Sequence, residues 1–224
     1  MSEFLFLEND WLYKKYRYLE FVRSEKWFTF KTALNLLLQR NGKLIVETGT
    51  MRLHDDPGGG STLLFGAFCA RYGMRLITVD INPLNLKVAM DETKEFSYCT
   101  TYVHSDSVEF LKKYAKDVQY FGKYVGGMFN ERIDLLYLDS LDCPVEGDAT
   151  EAQVHNLNEF KAAEPKMPIG SLLLMDDNNF PNGGKPKLTK AFLVETQSPV
   201  AHSDGYSRWH CILDWGQSLW ERVA

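Results

Sequence analysis

Residues Val46–Phe65, VETGTMRLHDDPGGGSTLLF, contain the most informative local pattern in the chain. The apolar run Lys43–Val46 leads into Glu47-Thr48-Gly49-Thr50, which is typical of a buried strand that ends in a tight turn beside a ligand. The next helix is expected to begin only at about Gly60, so Met51–Gly59 form an insertion. A helix N-terminus after a glycine-rich turn offers free N–H groups to a carboxylate or phosphate. The stretch therefore predicts a binding turn, with a flexible glycine-rich connection as the competing interpretation. We interpret its insertion as a lid or an acceptor-contacting segment.

The rest of the chain has the pattern of a parallel α/β sheet, in which short apolar runs alternate with helix-like segments. We predict strands at 43–48, 74–79, 99–104, 133–139 and 171–176, and helices at 60–72, 83–95, 106–117, 151–164 and 185–196. Residues 8–40 keep helical spacing and predict N-terminal helices. Near the end, Val200–Ser203 and Trp209–Trp215 flank Asp204-Gly205 and predict a hairpin that adds an antiparallel strand.

Composition predicts a globular protein and gives no support for several partner classes. The 224 residues are 45% hydrophobic and fit one domain with a helical appendage. A net charge of −5 does not favour a nucleic-acid partner. The four cysteines are far apart, which predicts reduced thiols. No apolar run approaches the roughly 20 residues of a membrane span, and the N-terminus does not resemble a signal peptide. We expect a cytoplasmic protein without a membrane partner.

Polar residues follow each predicted strand at its carboxyl end, where ligands bind in open α/β sheets. They are Glu47, Asp80, Ser105-Asp106, Asp139 and Asp176-Asp177. Glu47 could receive an ammonium or hydroxyl group beside Gly49. Asp80 either binds a ribose diol or caps the helix that Pro83 begins. Ser105 or Asp106 either caps the following helix or contacts an adenine edge. These acids together predict a ligand site at one edge of the sheet.

Several motifs in order resemble the class I S-adenosylmethionine-dependent methyltransferases, and are most similar to small-molecule O-methyltransferases of the catechol and macrolide-sugar type. They are Glu47-x-Gly49-Thr50 with Gly-Gly-Ser-Thr, then TVDINP, HSDSVEFL, IDLLYLDS and GSLLLMDDNN. The resemblance covers residues 42–215. It implies a Rossmann-like, mostly parallel α/β sheet of seven strands in the order 3-2-1-4-5-7-6. The last strand would be antiparallel and would be formed by RWHCILDW.

The resemblance also implies a cofactor site. Glu47 and Gly49 would line the methionine end of S-adenosylmethionine, and Ser61 would hold its carboxylate. Asp80 would bind the ribose. The remaining residues of the implied set are Thr50, Gly60, Asn82, Ser105, Asp106 and Asp139, with Ser105-Asp106 on the adenine side. Residues 42–224 would form this methyltransferase domain, and residues 1–41 would be a helical extension that acts as a lid or a homodimer contact.

The acids after the fourth and fifth predicted strands suggest a metal site. Asp139 with Asp176 and Asp177 would supply hard oxygen ligands for Mg²⁺ or another divalent cation, and Asn178 is the alternative third ligand. Adjacent acids leaving a buried strand repel each other without a cation. The competing interpretation is that Asp176 and Asp177 cap or solvate a loop. Lys185 or Lys187 in the following loop could contact an anionic substrate, but both are expected on the solvated surface.

The catalytic base is left open by the sequence. Sugar-methylating relatives often carry a histidine three residues after the first metal aspartate, whereas this chain has Asp142 there. Asp142, His155 or His54 could serve as base near Asp139, or the metal alone could suffice. The predicted activity is O-methylation of a small molecule or sugar. The alternatives are a metal-binding, hydroxylase-like protein of the same fold and a non-catalytic binding or assembly protein built around the aromatic N-terminal helices.

Overall fold

The computed structural model describes residues 11–16, 25–53, 60–115, 132–195 and 208–224. The predicted strand at 200–203, its turn Asp204-Gly205 and most of the Met51–Gly59 insertion lie outside these ranges. The helices are α1 (Trp11–Tyr16), α2 (Glu25–Gln39), α3 (Ser61–Tyr72), α4 (Pro83–Glu92), α5 (Ser107–Ala115), α6 (Thr150–Ala163) and α7 (Lys187–Glu195). The strands are β1 (Leu44–Thr48), β2 (Arg75–Asp80), β3 (Thr100–His104), β4 (Leu135–Leu138), β5 (Leu172–Met175), β6 (Trp209–Asp214) and β7 (Ser218–Arg222).

The seven strands form one sheet in the order β3-β2-β1-β4-β5-β7-β6. Strands β1 to β5 pair in parallel, and β7 runs antiparallel to both β5 and β6. The predicted order and the antiparallel last strand are therefore confirmed. In this order β1 and β4 are central neighbours, so chain crossings reverse between them and their carboxyl ends open a crevice.

The sequence-based assignment of the last strand is wrong in one respect. RWHCILDW forms β6, the edge strand, whereas the antiparallel strand is Ser218–Arg222, which the sequence reading left without an assignment. The turn between them is tight, with the Trp215 backbone N–H donating to the Gln217 carbonyl at 2.9 Å. Residues SLWER have only two strongly apolar members, and therefore carry little periodic signal.

Apolar residues cover both faces of the sheet, as expected for parallel strands that lie between helices. On one face, Ile45 and Tyr137 pack with Phe30 of α2 and with α3. On the other face, Val46 and Leu136 pack with the helices that include Phe160. Because Phe30 is only 2% exposed, α2 is built into the core that supports the site. Within the described part of the chain, no helix is long and apolar enough to cross a membrane.

Candidate functional site

A cavity of about 700 Å³ opens at the carboxyl ends of the central strands. This volume lies in the range that cofactor-sized ligands occupy, roughly 300–1,000 Å³. Its lining includes the predicted residues Gly49, Thr50, Ser61, Asp80, Asn82, Asp106, Asp139, Asp142, His155, Asp176 and Asp177. It also includes Lys26, Arg52, Asn85 and Lys185, none of which is in the set of site residues predicted from the sequence. The structure thus brings most of the predicted residues to one site.

Gly49 is the point where the turn after β1 meets the end of β4. Its φ is +77°, a left-handed conformation that side chains disfavour. A Cβ atom at this position would lie 2.5 Å from the Asp139 carbonyl oxygen. The Gly49 N–H donates to the Val79 carbonyl at 2.9 Å. The glycine is therefore required for close packing of three strand ends, and the cavity wall is formed by that packing.

Glu47 lies behind the cavity wall and is fully buried. Three hydroxyl groups donate to its carboxylate: Ser61 Oγ at 2.6 Å, Thr62 Oγ1 at 2.8 Å and Thr78 Oγ1 at 2.8 Å. The carboxylate thereby joins β1, β2 and the start of α3. Burial raises its pKa to about 7, although the three hydroxyl hydrogen bonds oppose the shift. Glu47 stabilises the turn after β1 through these hydrogen bonds, and its contact with a ligand stays a prediction.

We expect Glu47→Gln to change how stability depends on pH. A buried acid with a raised pKa stabilises the folded state while protonated, and this contribution is present below about 4.5 and lost as the pH rises through about 7. The glutamine does not titrate. The free energy of unfolding of the variant, relative to that of wild type, should therefore rise by about 3 kcal/mol between pH 4 and pH 8. Urea unfolding across that range measures the difference. Exposed Glu146→Gln is the control, and curves for Glu47→Gln that stay parallel to wild type would exclude the raised pKa.

Asp80 at the end of β2 is held by the backbone and faces the cavity. Its carboxylate accepts hydrogen bonds from the Thr50 N–H at 3.1 Å and the Asn82 N–H at 2.7 Å. The cap of α4 is Asn82, whose side chain accepts from the Leu84 N–H at 3.0 Å. Asp80 is therefore not the cap that the competing interpretation required. Its oxygens are fixed at the wall where a diol could donate to them.

Asp106 both caps α5 and lines the cavity. Its Oδ1 accepts from the Glu109 N–H at 2.9 Å, so the capping interpretation is correct for Asp106. Ser105 Oγ donates to the Asp106 carbonyl at 2.9 Å and does not line the cavity. Asp106, whose orientation is fixed by this hydrogen bond, can still contact an adenine in the cavity. Ser105 instead stabilises the turn between β3 and α5.

The three aspartates predicted as metal ligands lie together but bind lysines. Lys185 Nζ lies 2.7 Å from Asp139 Oδ1 and 3.0 Å from Asp177 Oδ2. Its side chain is only 3% exposed, so the expectation of a solvated Lys185 is wrong, whereas Lys187 is exposed as expected. Burial opposes the charged form of Lys185, but the pairing with Asp139 and Asp177 outweighs it and raises the lysine pKa above its ordinary value.

Asp176 binds the second lysine. Lys26 Nζ of α2 lies 2.8 Å from its Oδ1 and 2.9 Å from its Oδ2. Tyr137 donates its hydroxyl to Asp176 Oδ2 at 2.8 Å, and the Asp177 N–H donates to Asp176 Oδ1 at 2.8 Å. Burial alone would raise the pKa of Asp176, but the ion pair with Lys26 holds it below its ordinary value. Burial raises the pKa of Asp139, and the charge of Lys185 reduces that shift.

This donor set does not fit a divalent cation as it is arranged. Each of the three aspartates has at least one oxygen engaged by a lysine at hydrogen-bond distance. Among the described residues, no group of three or more His, Cys, Asp or Glu side chains is placed to hold a metal ion. Asn178, the alternative ligand, is bound elsewhere, because its amide donates to Asp214 and the Trp215 carbonyl and accepts from Lys190. In this arrangement the cations that contact the cluster are the two lysine ammonium groups.

The candidate bases occupy different environments. Asp142 is 77% exposed at its side chain and pairs with Arg52 at 2.8 Å, and that hydrogen bond lowers its pKa. His155 lines the cavity, lies 3.1 Å from Ser107 Oγ and 3.5 Å from Glu159 Oε1, and its pKa is raised by Glu159. His54 lies outside the described residues.

The sequence reading missed Lys26 and Tyr137 entirely. Lys26 is separated from its partner Asp176 by 150 positions, so no local pattern marks it. Tyr137 sits inside an apolar strand and reads as core, although its hydroxyl bonds to Asp176 and Asp139. Lys185 carried a usable signal, because Gly183-Gly184 before it permit a backbone turn that would place the lysine inward.

Comparison with known proteins gives structural likeness only. No protein-family model matches the chain, and no curated protein matches its sequence. The structure is similar to MycE, a methyltransferase from the mycinamycin biosynthetic pathway solved in complex with Mg, SAH and mycinamycin VI, at 17% identity and a TM-score of 0.55. That match covers 95% of this chain and 53% of MycE, so the chain spans about half the length of MycE.

Two further structures match along more of their own length. CalS11, described as a TDP-rhamnose 3'-O-methyltransferase of calicheamicin biosynthesis, is 13% identical with a TM-score of 0.55, and 99% of each chain is covered. The SAH-bound methyltransferase PaMTH1 of Podospora anserina is 13% identical with a TM-score of 0.58, covering 96% of this chain and 88% of PaMTH1. With the strand order and the cavity, these likenesses show that the chain has the Rossmann-like fold of the class I S-adenosylmethionine-dependent methyltransferases.

Proposed function

We propose that the protein is an S-adenosylmethionine-dependent methyltransferase that methylates a hydroxyl group of a small molecule, with sugars as the leading class. The observation that carries the proposal is the convergence of Gly49, Ser61, Asp80 and Asp106 on one cavity of about 700 Å³ at the carboxyl ends of the sheet. The sheet order is that of the methyltransferase fold. Matched structures described as a methyltransferase in complex with mycinamycin VI and as a TDP-rhamnose 3'-O-methyltransferase support the acceptor class.

The cavity residues fit the cofactor by their chemistry. Asp80 offers carboxylate oxygens to a ribose diol, because its side chain is already oriented by the Thr50 and Asn82 N–H groups. The α3 helix begins after Gly60, which has no capping side chain, and Ser61 of its first turn lines the cavity. A carboxylate there would gain from the positive end of the helix dipole. Bound S-adenosylmethionine would supply an electrophilic methyl group on a sulfonium.

The charge of the cavity supports a cationic cofactor and an acceptor that is not a polyanion. Among the described lining residues, seven are acidic and three are lysine or arginine. Such a surface attracts a sulfonium and repels a polyanion. This is compatible with a small acceptor and disfavours nucleic acid as a partner.

Alignment is the main contribution that this site would make to the reaction. Lys26, Asp139 and Lys185 of the cavity wall would orient an acceptor hydroxyl toward the methyl group that a bound cofactor would supply. Holding two reactants in line supplies much of the rate acceleration in such transfers. The hydroxyl proton would pass to a carboxylate of the wall. Asp139 is the candidate by position, since it lines the cavity beside Gly49 at the centre of the sheet.

The N-terminal segment is proposed to cover the acceptor end of the cavity. Lys26 of α2 lines the cavity, so this part of the chain contributes directly to the site. Phe28 on the same helix is 50% exposed and contacts Trp215 with ring centroids 5.2 Å apart. An exposed aromatic pair on the helix that carries Lys26 suits either an acceptor ring or a second subunit. The division at residue 41 therefore describes sequence order, and α2 belongs functionally to the site.

Transfer of a labelled methyl group tests the proposed function. We expect the protein, incubated with S-adenosylmethionine labelled in the methyl group and a panel of sugars, phenols and polyketides, to label at least one hydroxyl acceptor. Hydroxylated product without label would support the hydroxylase-like alternative. Cofactor binding without any product across acceptor classes would favour a binding protein, and neither binding nor product would remove the proposal.

A further inference from the structure

Two lysines from distant parts of the chain stand where the sequence predicts a divalent cation. Lys26 lies in the first turn of α2, and Lys185 lies just before α7. Their ammonium groups contact Asp139, Asp176 and Asp177 at N–O distances of 2.7–3.0 Å. We propose that Lys26 and Lys185 provide the fixed positive charge at the acceptor end of the cavity, and that the three aspartates hold these lysines instead of a divalent cation. The positioning of an acceptor rests on the proposed function, whereas the replacement of the cation does not.

The contacts of Lys185 use the whole ammonium group. An ammonium has three N–H donors, and Nζ lies 2.7 Å from Asp139 Oδ1, 3.0 Å from Asp177 Oδ2 and 3.5 Å from the Asp139 carbonyl oxygen. With 3% of its side chain exposed, the group has little access to water. Lys185 is thus a fixed point charge that bridges the ends of β4 and β5, and not a flexible surface side chain.

The backbone before Lys185 is built to place it there. Gly184 has a φ of +61°, and a Cβ atom on it would lie 1.7 Å from the Asp177 carbonyl oxygen. Its N–H donates to Asn182 Oδ1 at 3.0 Å, which closes the turn. Only glycine allows the turn to lie directly on the backbone of Asp177. The following residue is thereby directed onto the carboxylates of Asp139 and Asp177.

The charge of the cluster argues in the same direction. Three carboxylates and two ammonium groups leave one net negative charge, which a single bound sulfonium can balance. A divalent cation on the same oxygens would sit about 2 Å from them and therefore next to both ammonium groups. Like charges at such separations repel strongly where water is excluded. The aspartates can hold the two lysines or a divalent cation, but not both in this arrangement.

Binding of Mn²⁺, followed by the electron paramagnetic resonance signal of free Mn²⁺, tests the proposal. We expect wild-type protein to show no saturable binding of Mn²⁺ up to about 1 mM. Dedicated carboxylate sites bind divalent cations more tightly than this. Lys185→Met keeps the side-chain length and removes the charge. This variant should gain one Mn²⁺ site with a dissociation constant at least about tenfold below that 1 mM limit. Lys190→Met is the matched control, because Lys190 pairs with Asp214 at 2.6 Å outside the cavity, and it should behave like wild type.

Saturable uptake of Mn²⁺ by wild-type protein that is lost in Asp177→Asn would overturn the proposal. This arm needs no lysine variant, so it decides the question even if Lys185→Met is poorly folded. Where that variant does fold, Mn²⁺ should raise its melting temperature and leave that of wild type unchanged, because a ligand stabilises only the state it binds. The measurement requires no cofactor, so its failure and a failure to bind S-adenosylmethionine are distinguishable.

Discussion

Replacing Gly49 with alanine is expected to destabilise the protein by about 2–5 kcal/mol. Part of this cost is the left-handed backbone at φ +77°, which an alanine adopts only with strain. The rest is the contact of the new Cβ with the Asp139 carbonyl oxygen, which would be 2.5 Å away unless β1 and β4 separate. Because the same turn forms the cavity wall, cofactor binding should be lost together with stability.

Gly73→Ala separates the two contributions. Gly73 ends α3 with a φ of +65°, and a Cβ atom there meets nothing within 4 Å. Its alanine variant should cost only about 1–2 kcal/mol, the backbone part alone. Both substitutions reduce the flexibility of the unfolded chain equally, so that term cancels in the comparison. Urea unfolding gives both values, and equal destabilisation of the two variants would show that the contact between Gly49 and Asp139 is not tight.

Asp80→Ala is expected to weaken binding of S-adenosylmethionine by about 10- to 100-fold. We propose that its carboxylate accepts the ribose hydroxyls, and hydrogen bonds to a charged group contribute about 1.5–3 kcal/mol. Removal also leaves the Thr50 and Asn82 N–H groups without this acceptor. Asp80→Asn retains one oxygen that can accept from the backbone and should lie between wild type and alanine.

The control for Asp80 is Asp91→Ala on the exposed side of α4, which removes an equal charge away from the cavity. Isothermal titration calorimetry with each variant gives the dissociation constants, and circular dichroism gives the folded fraction. An Asp80→Ala protein that is folded and binds the cofactor within twofold of wild type would place the ribose elsewhere.

The central sheet was predictable from sequence because its strands are short apolar runs that end in acids. The five parallel strands appear within about two residues of the predicted bounds. Asp80 and Asp106 were identified for the same reason, since polar residues directly after a strand must lie at the ligand edge of the sheet. The strand β7 was missed because its side chains lack a clear alternating pattern.

The electrostatics of the acidic cluster could not be predicted from sequence. Three aspartates after adjacent strands require a counter-charge, and a sequence reading supplies the nearest familiar one, a metal ion. In the structure the positive groups at these carboxylates are Lys26, which is placed by the packing of α2, and Lys185, which is placed by the conformation of Gly184. Tertiary packing brings the two lysines within 3 Å of the carboxylates, and no spacing of residues in the sequence predicts this proximity. The environment of the Glu47 carboxylate was unpredictable for the same reason, because its three hydroxyl partners come from two other elements.

Calorimetric titration of the wild-type protein with S-adenosylhomocysteine in the presence of a chelator tests the central claim most directly. The cavity, its oriented Asp80 and its lysine-paired aspartates predict one binding site per chain, with an affinity that is unchanged when Mg²⁺ replaces the chelator. Absence of binding at millimolar cofactor, or binding that appears only with Mg²⁺, would contradict this account of the site.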